Sequence, residues 1–352
     1  MMTQIRVRGE EIRRFLLDNI EGHPRDLAKV ASDRFKITRQ AVHKHLRRLI
    51  SEKAIVEDGQ TRNRSYKLAP LVEWSRVYFI TPDLEEDVIW RKDIGPILGT
   101  QPQNILDLWQ FGFTEMFNNA KDHSGGTTIF VRINKTAITT EMSVLDDGVG
   151  IFKKIQTSMN LLDERHAVLE LSKGKLTTDP KHHSGEGIFF TSRIFDRFII
   201  LAGGVYFSHQ FNLPEDWISE AKDSSGTFVK MTLNNHTART TEKVFRQFAS
   251  GGNNDFGFNK TVVPVALAQY GNDKLVSRSQ AKRLLARVEL FKTVLLDFTD
   301  VPSIGQAFAD QVFRVFPQEH PNVALVPLHC NSAVKRMILR AKTGEVQNVP
   351  AE

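Results

Sequence analysis

Two polar side chains on one helical segment give the sequence its first pattern with chemical potential. Residues 103–122 carry apolar residues at helical spacing, and Glu115 and Asn119 stand four positions apart among them. Positions four apart lie on the same face of a helix, one turn from each other. The amide oxygen of Asn119 can therefore join a magnesium site, beside a carboxylate that can orient a water molecule or accept a proton.

A glycine turn at the end of a strand is the second pattern. Residues 128–133 and 137–145 are predicted to form two apolar strands, and the second runs into Asp146-Asp-Gly-Val-Gly-Ile. The carboxylate of Asp146 would stand at the strand end, where it can accept hydrogen bonds from the amino group of a base. Gly148 and Gly150 have no side chains, so the backbone there can approach a flat ring.

A second glycine run precedes a helix further along the chain. Gly185 and Gly187 come directly before residues 189–195, an apolar segment predicted to be helical. A helix N-terminus offers backbone N–H groups that suit phosphate. Thr227 follows a glycine at the start of a later strand. Taken singly, each of these patterns is more often structural than functional; their fixed order is what carries weight.

This order of motifs resembles the ATP-binding domain shared by gyrase, a heat-shock chaperone, mismatch-repair ATPases and histidine kinases. The likeness covers residues 100–235 and is closest to sensor-kinase and anti-sigma-factor members, whose helix motif reads Glu-x-x-x-Asn-Ala-x-x-His. By position, the resemblance implies that Asn119 holds Mg²⁺, that Glu115 is the general base and that Asp146 recognises adenine. The residues implied for the base pocket, the phosphate turn and the adenine end are Gly148, Gly150, Gly185, Gly187 and Thr227.

The segment that corresponds to the lid over the triphosphate in that family spans residues 152–184. Basic side chains there can pair with phosphate oxygens, although a solvated position is the more expected one for any single lysine. The second glycine box also lacks the third glycine common in sensor kinases. The basic residues of the segment are Lys153, Lys154, Lys173, Lys175, Lys181, His182 and His183.

The residues before this domain do not favour a histidine kinase. Such an enzyme requires a dimeric helical hairpin that presents a phosphorylatable histidine. Residues 71–99 are too short for one, contain Pro82 and Pro96, and have no histidine. We expect them to form a connector, and we do not expect histidine autokinase activity.

The first fifth of the chain carries the excess of positive charge. Residues 1–70 contain 16 Lys and Arg against nine Asp and Glu, whereas the whole chain has a net charge of +6. A local positive field attracts polyanions such as nucleic acids. Apolar spacing predicts helices at residues 10–20, 24–35 and 38–53, with Thr38 as the N-cap of the third, and then a hairpin with a basic tip.

This arrangement is similar to the winged helix-turn-helix family, in which a helix fits the major groove and a hairpin contacts the backbone. The resemblance implies binding of double-stranded DNA, although a small docking module with a solvated basic face remains the alternative. The candidate DNA-binding residues on the third helix and the hairpin are Arg39, Gln40, His43, Lys44, Arg47, Arg62 and Arg64.

The C-terminal third alternates predicted strands with predicted helices, which indicates a small α/β layer. Residues 295–310 resemble the STAS-like domain that often follows such ATP-binding modules. True STAS domains carry a phosphorylated serine or threonine at the start of a helix, where this chain has Gly305-Gln-Ala-Phe. Thr299 and Ser303 lie nearby, but a turn or capping role is the more expected one for both.

Composition limits the remaining classes. The chain has 352 residues, of which 41% are hydrophobic and 25% charged, so it can form more than one core. Its single cysteine, Cys330, excludes an internal disulfide and any multi-cysteine metal site. No apolar run approaches the ~18 residues of a membrane span, and the first residues do not look like a secretory signal. We expect a cytoplasmic location and no membrane partner.

Together these features predict a multidomain α+β protein. A winged helix at residues 1–70 and a connector at 71–99 lead to an α/β sandwich of the histidine-kinase-like ATPase type at 100–235. A linker at 236–260, a STAS-like domain at 261–345 and a tail at 346–352 complete the chain.

Three functions are weighed for this layout. The favoured one is an ATP- and Mg²⁺-dependent, DNA-binding regulator, with a regulatory protein as a second candidate partner. The others are an anti-sigma-type serine/threonine kinase and a slow ATPase of a nucleic-acid machine, driven by dimerisation. Enzyme activity and a homodimer both stay open.

Overall fold

The computed structural model contains mixed α/β structure with several sheets, as expected. It has a two-stranded hairpin, a seven-stranded sheet and a three-stranded sheet. The family identity of the first two units stays a prediction. The structure describes residues 4–59, 63–176, 185–211, 213, 216–222, 224–249, 257–269 and 274–343.

The N-terminal unit consists of three helices and an antiparallel hairpin. Thr38 caps the third helix, because its side chain accepts a hydrogen bond from the Ala41 N–H at 3.2 Å. Lys36 ends the second helix in the left-handed conformation, with φ 53°, which makes the tight turn. Leu16, Leu46 and their neighbours form a separate core. The elements are α1 Gln4–Asn19, α2 Leu27–Phe35, α3 Arg39–Ser51, β1 Ile55–Asp58 and β2 Ser65–Leu68.

The central unit is built on the seven-stranded sheet, in which the strand order is β3-β4-β5-β9-β6-β7-β8 and all neighbours are antiparallel. Its first elements are β3 Val72–Phe79, α4 Glu86–Ile89, a π-helical turn Trp90–Ile94, α5 Gly95–Leu98, α6 Gln103–Asn118 and a π-helical turn Asn119–His123. The next are β4 Thr128–Lys135, β5 Thr139–Asp146, α7 Ile151–Ser158, α8 Glu164–Lys173 and α9 Gly187–Ile194. The last are β6 Arg197–Ala202, β7 Val205–Gln210, β8 Asp216–Glu220, β9 Thr227–Asn234 and α10 Thr241–Gln247.

In the core of this unit, the apolar face of the sheet packs against the apolar side of α6. Side chains alternate along β4, so that Ile129 and Val131 are buried on the helix-covered face, as the period of two requires. The apolar side of α6, which includes Phe113, packs on that face. A Cβ at Gly112 of α6 would lie 2.5 Å from the Phe195 ring. Glycine is therefore required where α6 passes that ring.

Residues 71–99, expected as a connector, belong to the central sheet instead. β3 pairs with β4 along its whole length, and Tyr78 and Trp90 are buried in the central core. The expected linker at 236–260 contains α10, which contacts α6 and α9. The glycine-rich part of that linker, residues 251–255, lies outside the described residues.

The C-terminal unit is a three-stranded parallel sheet with helices, in the strand order β10-β11-β12. Ser277 and Gln280 form a capping box at the start of its first helix. Its core continues into that of the central unit, where the Phe189 and Phe258 rings lie 4.6 Å apart. The elements are β10 Lys260–Pro264, α11 Arg278–Leu285, β11 Thr293–Asp297, α12 Gln306–Asp310, a π-helical turn Gln311–Val315, α13 Phe316–Glu319, β12 Ala324–Leu328 and α14 Ser332–Thr343. Among the described residues, no helix has the length and apolar character needed to cross a membrane.

Candidate functional site

A cavity of about 290 Å³ lies between α6, α7, α9 and the helix-covered face of the central sheet. This volume is at the lower end of the range for small-molecule sites. The cavity brings together residues that are far apart in the chain. The sequence-predicted residues that line it are Glu115, Asn119, Asp146, Gly185, Gly187 and Thr227.

Glu115 and Asn119 form part of one wall of the cavity. Both are half-buried, and the π-helical turn that begins at Asn119 brings His123 to the same wall. Gly187, the first residue of α9, lies directly against the carboxylate, because a Cβ there would stand 1.8 Å from Glu115 Oε2. The first turn of α9 is therefore held close to Glu115.

Asp146 ends β5 at the cavity with only 4% of its surface exposed. Its Oδ1 accepts hydrogen bonds from the Gly148 N–H at 2.9 Å and the Thr227 N–H at 3.2 Å. Burial raises the pKa of Asp146, and these hydrogen bonds oppose the rise. Thr227 Oγ1 in turn accepts from the Ile151 N–H at 3.0 Å, which fixes the start of α7 against the strand.

Gly148 and Gly150 shape the turn and do not line the cavity. A Cβ at Gly148 would stand 2.2 Å from the Ser124 carbonyl oxygen, and Gly150 has a φ of +84°. Asp147, between them and Asp146, is exposed and faces away. Its carboxylate accepts from the Thr127 and Thr128 hydroxyl and N–H groups at 2.6 to 2.9 Å, and these bonds lower its pKa.

Residues 152–176 of the segment expected to form a lid are described, and the description resumes at Gly185. Gly185 has a φ of +71°, and its carbonyl accepts from the Leu176 N–H at 3.0 Å. Lys181, His182 and His183 lie outside the described residues. Of the other basic residues, Lys154 lines the cavity, which sequence reasoning did not single out.

Lys173 belongs to a buried polar cluster that joins α8 to the C-terminal unit. Its side chain is 1% exposed, and its Nζ donates to Glu170 Oε1 at 2.7 Å, to the Arg283 carbonyl at 3.0 Å and to the Ala286 carbonyl at 2.8 Å. Arg287 Nη1 donates to the other oxygen of Glu170 at 3.1 Å. Burial lowers the pKa of Lys173, and Glu170 opposes this effect.

Most of the other residues that line the cavity are apolar. Val144, Ile200 and Val229 come from three adjacent strands, and Leu171 and Leu176 come from the lid side. Such a lining suits a flat aromatic base. Sequence alternation predicts which strand residues face inward, but not which of them surround an opening.

The lining fits a magnesium nucleotide. The described residues contain no cluster of three or more His, Cys, Asp or Glu side chains suited to a metal. Asn119 offers one amide oxygen, and phosphate and water oxygens would have to supply the other ligands of Mg²⁺. Gly187 starts α9 at the cavity beside Glu115, and the N-terminal N–H groups of a helix suit an anion.

A second candidate surface lies on α3. Arg39, Gln40, Lys44 and Arg47 are exposed and His43 is half-buried, on the side away from the buried Val42, Leu46 and Leu49. Arg64 is held in the hairpin by an ion pair with Glu57 at 3.5 Å. Arg62 lies outside the described residues. The long polar side chains of α3 are thus presented to solvent together.

Comparison with known proteins identifies the class of the C-terminal unit. A family model described as a STAS-like domain of unknown function (DUF4325) matches residues 280–335. The matched segment runs from α11 into α14, so this unit is STAS-like, as expected. No curated protein and no solved structure gives a match.

Proposed function

We propose that this chain is an ATP-binding, DNA-binding regulatory protein. In this proposal, the central unit is a histidine-kinase-like nucleotide-binding domain, α1 to β2 form a winged helix, and the STAS-like domain is an interaction module. The observation that carries the proposal is the convergence of Glu115, Asn119, Asp146 and Thr227 on one cavity.

The roles within the cavity follow from chemistry. Asp146, fixed by backbone N–H groups on one oxygen, can accept a hydrogen bond from the adenine amino group, and the apolar strand residues cover the ring. Asn119 would hold Mg²⁺, which neutralises phosphate charge when bound. The N-terminus of α9 would bind phosphate oxygens, and Glu115 beside it can orient a water molecule.

The α3 surface supports the DNA-binding part. An exposed row of Arg, Gln and Lys on one helix suits base edges and phosphates in the major groove. Only residues 69–71 separate the hairpin from β3 of the central sheet. The Ala69 N–H donates to the Ala54 carbonyl, and the Leu71 N–H donates to the Lys135 carbonyl. A nucleotide would regulate the winged helix only if the nucleotide binds two conformations of the chain with different affinities.

The kinase and ATPase alternatives both make use of Glu115. Thr299 donates its hydroxyl hydrogen bond to Asp297 at 2.7 Å and lines a different cavity from Glu115. This arrangement disfavours phosphoryl transfer to Thr299 of the same chain. Transfer to a separate protein, or hydrolysis, is distinguished by the fate of the γ-phosphate.

The test of nucleotide binding uses titration calorimetry of the full chain with ATP and Mg²⁺. Asn119→Ala should abolish magnesium-dependent binding, whereas Asn118→Ala, at the neighbouring position outside the cavity lining, should retain it. Equal affinities of the two variants would refute the ligand role of Asn119. Incubation with γ-labelled ATP then shows whether label moves to protein, moves to free phosphate or stays on the nucleotide.

A further inference from the structure

Lys154 on α7 is the one lysine or arginine among the described residues that line the cavity. The preceding residue, Lys153, is exposed, and its Nζ donates to Gln156 Oε1 at 3.1 Å. Two adjacent lysines on one helix therefore have different surroundings. Only the side chain of Lys154 reaches into the cavity wall.

The position of Lys154 along the cavity is set by its partner. Its Nζ donates to the His123 carbonyl at 2.5 Å. His123 lies one turn beyond Asn119, and the next residue, Ser124, contacts the Gly148 turn. The Lys154 ammonium is therefore held at the His123 end of the α6 wall, two helical turns from Glu115, which lies against Gly187.

The nucleotide orientation proposed above places the base at Asp146 and the terminal phosphates at the start of α9. In that orientation, the ribose and the first phosphate would pass the His123 end of the α6 wall. A half-buried ammonium attracts a phosphate more strongly than a solvated one does, because the local dielectric is lower. Burial also lowers the pKa of Lys154.

We propose that Lys154 binds the α-phosphate of the nucleotide. This inference rests on the nucleotide-binding function proposed above. The competing role is structural, since a lysine that donates to the His123 carbonyl also satisfies the C-terminal end of the π-helical turn. The two roles differ in how they depend on the phosphates of the ligand.

The experiment measures the affinity of the full chain for adenosine, AMP, ADP and ATP by titration calorimetry. Lys154→Gln should weaken binding of all three phosphorylated ligands by about tenfold, the effect of ~1.4 kcal/mol, and should leave adenosine unchanged. Lys153→Gln is the matched control and should leave all four affinities unchanged. Lys154→Arg should restore most of the affinity, because it keeps the charge.

Three outcomes would overturn the inference. A loss of adenosine affinity equal to that of AMP would assign Lys154 a structural role, and thermal unfolding of the free variant would reveal the same defect. A loss confined to ATP would place the contact at the γ-phosphate, and unchanged affinities would remove the contact. If the wild-type chain binds none of the four ligands, the proposed function fails together with the inference.

Discussion

The buried cluster around Lys173 yields a prediction whose size follows from its contacts. Lys173→Met keeps the aliphatic stem of the side chain and removes the ammonium group. The variant then lacks the donor to Glu170 and to two backbone carbonyls at the end of α11. All of these acceptors lie at the boundary between α8 and the C-terminal unit, so the damage is local to that contact.

We expect Lys173→Met to lower the free energy that holds α8 on the C-terminal unit by about 3 kcal/mol. Removal of one partner of a buried ion pair costs roughly 3–5 kcal/mol, and Glu170 keeps its hydrogen bond from Arg287 at 3.1 Å, which favours the lower end. A loss of that size raises the population of conformations with an open α8 boundary by about a hundredfold, because each 1.4 kcal/mol is a factor of about ten.

Native-state hydrogen exchange followed by mass spectrometry measures this opening. Backbone amides of α8 and α11 should lose about two orders of magnitude of protection in Lys173→Met, whereas amides of α1 to α3 should not change. Lys282→Met is the matched control, since Lys282 lies on α11 but is exposed. If the two variants exchange alike, the cluster does not hold the C-terminal unit on α8.

Two further predictions concern the proposed winged helix and β8, an edge strand of the central sheet. Arg47→Ala should weaken DNA binding of the full chain and reduce the slope of log affinity against log salt by about 1; an unchanged slope would remove Arg47 from the phosphate contacts. Asp216 accepts hydrogen bonds from Arg193 at 3.3 Å. Burial favours a raised pKa, but Arg193 and His209 outweigh it and lower the pKa of Asp216 to about 2, from 3.8. Because this folded-state pKa is depressed, its contribution of about 2 kcal/mol is complete above pH 4 and is lost as the pH falls toward 2. Asp216→Asn should flatten the acid limb of unfolding free energy against pH, and equal limbs would contradict the assignment.

Local signals in the sequence predicted the elements well. Thr38 was expected to cap α3 because a threonine side chain can satisfy an N–H of the first turn, and it does. The spacing of Glu115 and Asn119 likewise predicted that both lie on one face, and both line the cavity, although α6 ends at Asn118 and a π-helical turn begins at Asn119. Such predictions succeed because the interacting groups lie within a turn of each other.

Features that depend on distant partners were missed. β3 is an edge strand with an exposed side, and nothing within residues 71–99 indicates that β4 pairs with it. Lys173 resembles a surface lysine in the sequence, since the carbonyls that accept from it come from Arg283 and Ala286. Lys154 and Lys153 are adjacent lysines, and what distinguishes Lys154 is the hydrogen bond from its Nζ to the His123 carbonyl. In each case the deciding neighbour is remote in sequence.

The placement of α8 gives the proposed regulation a physical route. Leu171 at its end lines the cavity, while Lys173, two residues later, is bonded to the STAS-like domain. A shift of α8 on nucleotide binding would therefore either break the hydrogen bonds of Lys173 or move the STAS-like domain together with α8. Because the cluster is buried and satisfied, it favours movement of α8 and the STAS-like domain as one body. The nucleotide would then move the proposed interaction surface, without any change inside the STAS-like domain itself.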